Sequence, residues 1–361
     1  MAAQLKYLYN KDFISRLCSE IQKTFKQFDS KNFTKCVFDK DWDEKELKER
    51  MRHITESLYQ FLPKKYSKAL KILKPVSKRF SGFEPMFFPD YVEQYGIDDI
   101  EESIVALEHF TKYSSSEFAV RPFIVKYPKV MMRQMELWAS SNNHHVRRLA
   151  SEGCRPRLPW AMALPVFKKD PKAVMKVLRK LKNDTSEYVR RSVANNLNDI
   201  AKDNPEVVIK VAKSWLSKNK NTDWLVKHAC RTLLKQGQPE IMRLFDLAVP
   251  DHIKVLKLQV KKKVSMGERL NFSFQLETKK NEIGKVRIEF GIDFMKSNGK
   301  QARKIFKISE VHCEDQRKEI QKYFSFKPIS TRKYYPGAHG LAIIVNGHEL
   351  ACGKFKLLNQ N

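Results

Sequence analysis

One phrase of this chain occurs twice. His145-Val-Arg-Arg-Leu-Ala-Ser-Glu aligns with Tyr188-Val-Arg-Arg-Ser-Val-Ala-Asn at a spacing of 43 residues, and Leu225-Val-Lys-His-Ala-Cys-Arg echoes both 37 residues later. Each copy follows a polar turn (SSNNH, NDTSE, KNTD) whose side chains can accept the first free N–H groups of a helix. From about residue 98 to 248 the pattern is helix, turn, helix, without a convincing strand. Helix pairs repeated at a fixed period cannot bury their apolar faces alone and must stack on one another.

Periods near 40 residues made of paired helices are those of HEAT and armadillo-like units. The fold class expected is therefore mainly α: a HEAT-like α-solenoid over residues 1–248. Ahead of the repeats, residues 1–30 read as one amphipathic helix, then an irregular stretch to about residue 42. A helix from Leu47 to Phe61 and a basic helix over 64–80 follow, and FSGFEPMFFPDYVEQYG (80–96) reads as a loop rich in aromatics and prolines. After Pro250 the period drops to two. HIKVLKLQV, RLNFSFQLE, KVRIEFGIDF, RKIFKISEV, YFSFKPI and GLAIIVNG are strand-length runs separated by Gly, Asn and Lys turns. They predict a small antiparallel β-sandwich of immunoglobulin-like type over 249–361, with about six or seven strands. The region has no tryptophan, so the Cys…Trp…Cys hallmark of that fold is absent. Basic loops at Lys279 to Asn281, Lys300 to Lys304 and Thr331 to His339 suit phosphate contacts.

The formal net charge of +28, from 69 Lys and Arg against 41 Asp and Glu, points to a polyanionic partner, nucleic acid before a membrane surface. The six cysteines are scattered without a CxxC pair, and MAAQLKYLYNKDF has no apolar core of signal-peptide type. Reduced thiols in a cytoplasmic, bacterial-type protein are expected, with no disulfide frame and no zinc site. No apolar run approaches the ~18 residues that span a bilayer.

Several chemistries drop out by motif. There is no GxxxxGK[ST] for a phosphate-cradling loop, no HxE with PCxxC for a zinc deaminase, and no HExxH. Acids set among arginines and aromatics remain. Ser115 to Trp160 places Glu117, Glu136 and Glu152 beside Arg121, Arg147, Arg148, Arg155 and Arg157, and Asp199 ends the helix YVRRSVANNLNDI. In that helix Arg190 and Arg191 stand where Arg147 and Arg148 stand in the first copy, at helix starts able to line a basic surface. A carboxylate there repels the phosphates the arginines attract, so it is either locked in a structural ion pair or retained for chemistry. For any single acid the ion pair is the favoured reading. One reaction on DNA that carboxylates alone can run is N-glycosidic hydrolysis, by stabilising an oxocarbenium-like sugar and orienting water. A base made cationic by alkylation leaves without a strong general acid.

SSEFAVRPF (115–123), HHVRRLASEGCRPRLPWA (144–161) and YVRRSVANNLNDIAKDNP (188–205), with the spacing between them, resemble the HEAT-like-repeat DNA glycosylases of the AlkC/AlkD type, the AlkC branch in particular. The resemblance covers roughly residues 1–248, and a C-terminal immunoglobulin-like domain fits a subset of that branch. It implies excision of cationic alkylated bases, 3-methyladenine and 3-methylcytosine, from double-stranded DNA by a monomer, with no cofactor and no metal. It implies Glu117 and Asp199 as catalytic carboxylates with Glu152 in support. Trp160 and Phe118 would form the lesion pocket by cation–π attraction. Arg121, Arg147, Arg148, Arg155 and Arg157 would hold phosphates or orient the acids, with Arg190 and Arg191 joining them on the DNA. The rival expectation is a non-catalytic HEAT-repeat scaffold that only binds nucleic acid.

Overall fold

The computed structural model describes residues 5–217, 219–329 and 332–359. They form two compact units, one running through Ala229 and one from Cys230 onward. The division falls earlier than the change of periodicity at Pro250.

The first unit is helical. Its helices are α1 (Lys11–Thr24), α2 (Ser30–Val37), α3 (Leu47–Phe61), α4 (Tyr66–Ser77), α5 (Phe87–Tyr95), α6 (Ile100–Thr111), α7 (Val120–Lys126), α8 (Pro128–Trp138), α9 (His144–Gly153), α10 (Pro165–Lys169), α11 (Lys172–Leu181), α12 (Glu187–Ile200), α13 (Pro205–Trp215) and α14 (Lys220–Ala229). The repeated phrases are α9, α12 and α14, which pack side by side, while α8, α11 and α13 pack against that row. The polar turns stop and start these helices as expected. Asn143 Oδ1 accepts from the backbone N–H of His145 at 2.9 Å, Asp184 Oδ1 from Ser186 at 2.8 Å, and Asn219 Oδ1 from Thr222 at 2.9 Å. Glycine is required at the end of α9, because a Cβ on Gly153 would stand 2.6 Å from Val120 Cγ1.

Two expectations for the N-terminal third are corrected. The long first helix, whose first four residues lie outside the described ones, is instead a 3-10 turn (Leu5–Leu8), α1 and α2. Asn10 and Asp29 interrupt the apolar periodicity as caps, accepting from Phe13 and Asn32 backbone N–H groups at 2.9 and 3.0 Å. The aromatic stretch 80–96 is not a loop but a 3-10 turn (Glu84–Met86) running into α5. Its prolines mislead: Pro85 and Pro89 sit in first turns, where no intrahelical N–H bond is needed. The aromatics then do what aromatics do in cores, with Phe87, Phe88 and Tyr91 at most 1% exposed.

The second unit opens with short helices α15 (Arg231–Lys235) and α16 (Pro239–Leu244), followed by β1 (Ile253–Val260), β2 (Lys263–Ser265), β3 (Arg269–Thr278), β4 (Gly284–Met295), β5 (Gln301–Cys313), β6 (Arg317–Ser325), β7 (Gly337–Val345) and β8 (His348–Leu358). Two sheets result, ordered β1-β3-β6 and β2-β8-β7-β4-β5. Alternation puts Leu270, Phe272, Phe274 and Leu276 of β3 and Leu341, Ile343 and Val345 of β7 in one apolar core. Among the described residues there are eight strands rather than six or seven, and the short β2 pairs with β8 in parallel. Residues 301–304, expected in a loop, begin β5, and Thr331 of the last basic loop lies outside the described residues. Helices α15 and α16 belong to this unit through close backbone contact: a Cβ on Gly237 would meet the Gly347 carbonyl at 2.8 Å.

Candidate active site

The three acids singled out in the sequence stand in one line of alternating charge. Glu117, in the turn before α7, takes the Nη1–H of Arg148 of α9 on its Oε2, and Ser115 Oγ donates to the same oxygen at 2.7 Å. Arg148 Nη2 lies 3.5 Å from Glu152 Oε1, one helical turn further along α9. Arg155 Nη1 donates to that same Oε1 at 2.6 Å, while its Nε donates to Asp199 Oδ2 of α12 at 2.8 Å. Lys202 Nζ closes the line on Asp199 Oδ1 at 3.1 Å. The i, i+4 spacing on α9 aligns Arg148 and Glu152, Arg155 follows two residues after the helix ends, and packing of α9 on α12 brings Asp199 to the end of the line.

Glu152 is the centre of this line and is 5% exposed. Its second oxygen accepts from Ser192 Oγ of α12 at 2.6 Å, and Ser192 pairs with Ser151 Oγ at 2.6 Å. Asn196 Nδ2 donates to the Ser151 carbonyl at 2.7 Å. Burial opposes the charge on Arg148 and Arg155, yet their pKa values rise because Glu152 with Glu117, and Glu152 with Asp199, outweigh it. Glu117 and Asp199 each meet one arginine through one oxygen, so neither is closed off by a bidentate fork.

The aromatics lie at the Glu117 end. Trp160 is 61% exposed with φ 63°, and its ring meets Phe83 edge-on at 6.4 Å. Lys48 of α3 donates to the Trp160 carbonyl at 2.7 Å and stands 5.1 Å over the Phe118 ring. Beside Glu117 a cavity of about 370 Å³ is lined by Phe83, Met86, Ser114, His145, Arg148 and Tyr188 among others.

The remaining arginines divide. Arg121 is wholly buried, donating to the carbonyls of Gly153 and Met162 at 2.8 and 2.7 Å, so it offers no surface to a phosphate and braces the end of α9 instead. Burial pulls its pKa down to about 10. Arg147 closes a fork on Asp184 at 2.6 and 3.0 Å, and Arg190 is buried against the Asp184 and Thr185 carbonyls, both at 2.8 Å. These three depart from the expectation of DNA-facing side chains. Arg157 forks Asp203 at 3.1 and 2.6 Å but stays partly exposed. Arg191 is exposed, paired with Glu187 at 2.5 Å and 6.0 Å over the Trp224 ring. Lys48, Ser192, Asp184 and Asp203 were not legible as site residues, since each finds its partner only when distant segments pack, and Lys202 meets Asp199 locally, three residues on. Among the described residues no group of three or more His, Cys, Asp or Glu is placed to hold a metal ion, and no helix is long and apolar enough to cross a membrane.

A family model described as "DNA alkylation repair enzyme" matches residues 97–233, and one described as "Uncharacterised protein YhaZ, C-terminal Ig-like domain" matches residues 254–359. The "Uncharacterized protein YhaZ" of Bacillus subtilis (strain 168) is 46% identical over 347 residues, covering 96% of this chain and 97% of that protein. Among solved structures, Pseudomonas fluorescens alkylpurine DNA glycosylase AlkC, bound to DNA containing an abasic site analog, matches with a TM-score of 0.93 at 36% identity, over 99% of this chain and 100% of that one. With the repeat, the terminal sandwich and these matches together, the chain belongs to the AlkC-type family of DNA alkylation repair proteins with a C-terminal immunoglobulin-like domain.

Proposed function

We propose that this protein is a monofunctional DNA glycosylase, acting as a cytoplasmic monomer on double-stranded DNA. Its substrates are cationic alkylated bases, 3-methyladenine and 3-methylcytosine. The N-glycosidic bond breaks with its electron pair passing to the base, which leaves neutral, and C1′ gains positive character. A fixed carboxylate near C1′ stabilises that oxocarbenium-like sugar, and a carboxylate orients the water whose oxygen then bonds to C1′ and whose proton is released. Glu117 and Asp199 take these roles, Glu152 holds them through Arg148 and Arg155, and Trp160 and Phe118 favour a cationic base over an ordinary one. Arg157 and Arg191 supply phosphate contacts.

The observation that carries the reading is the line Glu117–Arg148–Glu152–Arg155–Asp199. Each end acid is held by one arginine bond, Glu117 part-buried and Asp199 buried with Lys202 on its other oxygen, while the middle acid is buried and bonded on both oxygens. An acid kept only for stability gains most from a closed fork such as Arg147–Asp184. The test is single-turnover release of methylated bases from alkylated duplex DNA by wild type, Glu117→Gln and Asp199→Asn. Loss of release with retained DNA binding supports the proposal, and undiminished release by both variants sinks it. The second reading, a non-catalytic nucleic-acid scaffold, draws on the fact that every one of these acids is ion-paired. It predicts salt-dependent binding without preference for lesions.

A further inference from the structure

The cavity beside Glu117 has a character of its own. Its volume of about 370 Å³ lies at the small end of the range of about 300–1,000 Å³ used for small ligands. Its lining includes two aromatic side chains, Phe83 and Tyr188, and the polarizable Met86. The Tyr188 ring is held on its other contacts by the Arg148 guanidinium at 5.1 Å and by His145 at 5.8 Å.

Polar capacity is present, and the two charges in the lining, Glu117 and Arg148, are paired with each other. The Ser114 hydroxyl is buried and finds no hydrogen-bond partner among the described residues, so a ligand donor or acceptor brought to it would satisfy a group now left orphaned. Burial, helped by His144 and Arg148, lowers the His145 pKa and keeps its imidazole neutral at neutral pH. Glu117 is the one acid among the lining residues, and Arg148 already compensates it. The lining therefore carries no net charge. It suits a flat, neutral heterocycle with donors and acceptors at its rim.

We propose that this cavity is a product-side site that holds the released nucleobase. The proposal rests on the glycosylase reading: the base is cationic while attached and neutral once the glycosidic electron pair has passed to it. Trp160 and Phe118 favour the charged state, and the cavity, which adjoins them through Phe83 and Glu117, accepts the uncharged one. Drawing the base off in this way opposes its re-addition to the sugar.

The test uses the full chain without DNA and free 3-methyladenine as the probe, titrated by equilibrium dialysis against wild type, Ser114→Ala and Tyr188→Ala. Tyr188 is 44% exposed, so its truncation leaves the core intact. Saturable binding is expected for wild type, weakened about tenfold by Tyr188→Ala through the lost stacking face. Ser114→Ala is expected to weaken binding about fivefold through the lost hydrogen bond. Single-turnover base release by Ser114→Ala should stay within about twofold of wild type, while added free base slows multiple turnover by wild type more than by the variant. Base release by wild type with no saturable binding of the free base overturns the cavity assignment and leaves the glycosylase reading standing. Binding that neither variant weakens overturns it as well. Saturable, variant-sensitive binding without base release supports the cavity and overturns the glycosylase reading.

Discussion

Lys48 Nζ donates a 2.7 Å hydrogen bond to the carbonyl oxygen of Trp160, and the same ammonium stands 5.1 Å from the centre of the Phe118 ring. Trp160 needs such a hold. Its φ of 63° is left-handed, a conformation that costs a residue with a Cβ about 1 kcal/mol, and its ring is 61% exposed. One lysine thus ties together both aromatics proposed to meet the lesion. Lys48→Met is expected to slow single-turnover base release about tenfold, because the indole is no longer held in one place. Affinity for undamaged duplex should stay within about twofold, and Lys48→Arg should restore most of the rate. A lysine that merely contacted phosphate would give the reverse, weaker binding to all DNA and an unchanged rate.

The arginines divide into those locked in buried ion pairs and exposed ones proposed to meet DNA. Both arms of Arg147 are bonded to Asp184, and its remaining nitrogen donates to the carbonyls of Ser141 and Asn142 at 3.0 and 3.1 Å. The pair is largely buried, so Arg147→Ala leaves Asp184 uncompensated at a cost of about 3 kcal/mol. Thermal denaturation should show that loss, while the dependence of DNA affinity on salt concentration keeps its slope. Arg191→Ala, at an exposed site, should do the opposite: little change in melting temperature and a salt slope shallower by about one. A reduced slope in Arg147→Ala would show that its fork opens onto DNA.

This division explains what the sequence could and could not disclose. The period announced α9, α12 and α14 and their caps, because helix start signals and apolar spacing are local. Glu117, Glu152 and Asp199 were visible as acids in basic surroundings, again a local property. Which arginine each acid meets was hidden, since Arg155–Asp199 and Arg147–Asp184 join adjacent repeats through helix packing. The identical Val-Arg-Arg phrases even invited one role for four arginines. Yet Arg147 and Arg190 both turn to Asp184, Arg148 turns to Glu117 and Glu152, and Arg191 turns to solvent and Glu187. Position around the helix, not the motif, decides. The stretch 80–96 failed for a different reason: prolines mark turns on average, but in the first turn of a helix they cost nothing.

A second carboxylate pair gives a pH signature. Asp90 forks Arg52 with both oxygens at 2.9 Å, leaving Glu93 to meet only an Nη2 already shared, at 3.1 Å. Burial, followed by the charge of Asp90, outweighs the attraction of Arg52 and lifts the Glu93 pKa from 4.5 to about 7. A pKa raised on folding means that the folded chain binds the proton more tightly. The associated stability is complete below pH 4.5 and is lost as pH rises through about 7. Glu93→Gln keeps a neutral side chain at every pH. Urea unfolding should therefore find the variant gaining on wild type from pH 5 to pH 8, by on the order of 2 kcal/mol across that window. A difference between the two that does not vary with pH would refute the assignment.

Glu152 makes the strongest claim on stability, and a double-mutant cycle can test it. Its Oε2 accepts from Ser192 at 2.6 Å and its Oε1 from Arg155 at 2.6 Å, with Arg148 Nη2 at 3.5 Å from the same oxygen. Removing the Ser192 hydroxyl leaves one lone pair of a buried carboxylate without a donor, a loss of about 1–3 kcal/mol. Glu152→Ala leaves the guanidinium groups of Arg148 and Arg155 without the anion between them, at about 3–5 kcal/mol. Once the carboxylate is gone the serine keeps only Ser151 Oγ as a partner, so Ser192→Ala should cost less in the Glu152→Ala background than in wild type. Glu152→Gln separates charge from shape: it keeps acceptor and packing but removes the charge that balances both arginines. These then bear harder on Glu117 and Asp199 and screen the charge that, in the proposed mechanism, those acids offer to the sugar. Base release by Glu152→Gln should fall while its melting temperature drops less than that of Glu152→Ala. Additive costs for Ser192→Ala and Glu152→Ala would show that the two side chains do not act as one unit.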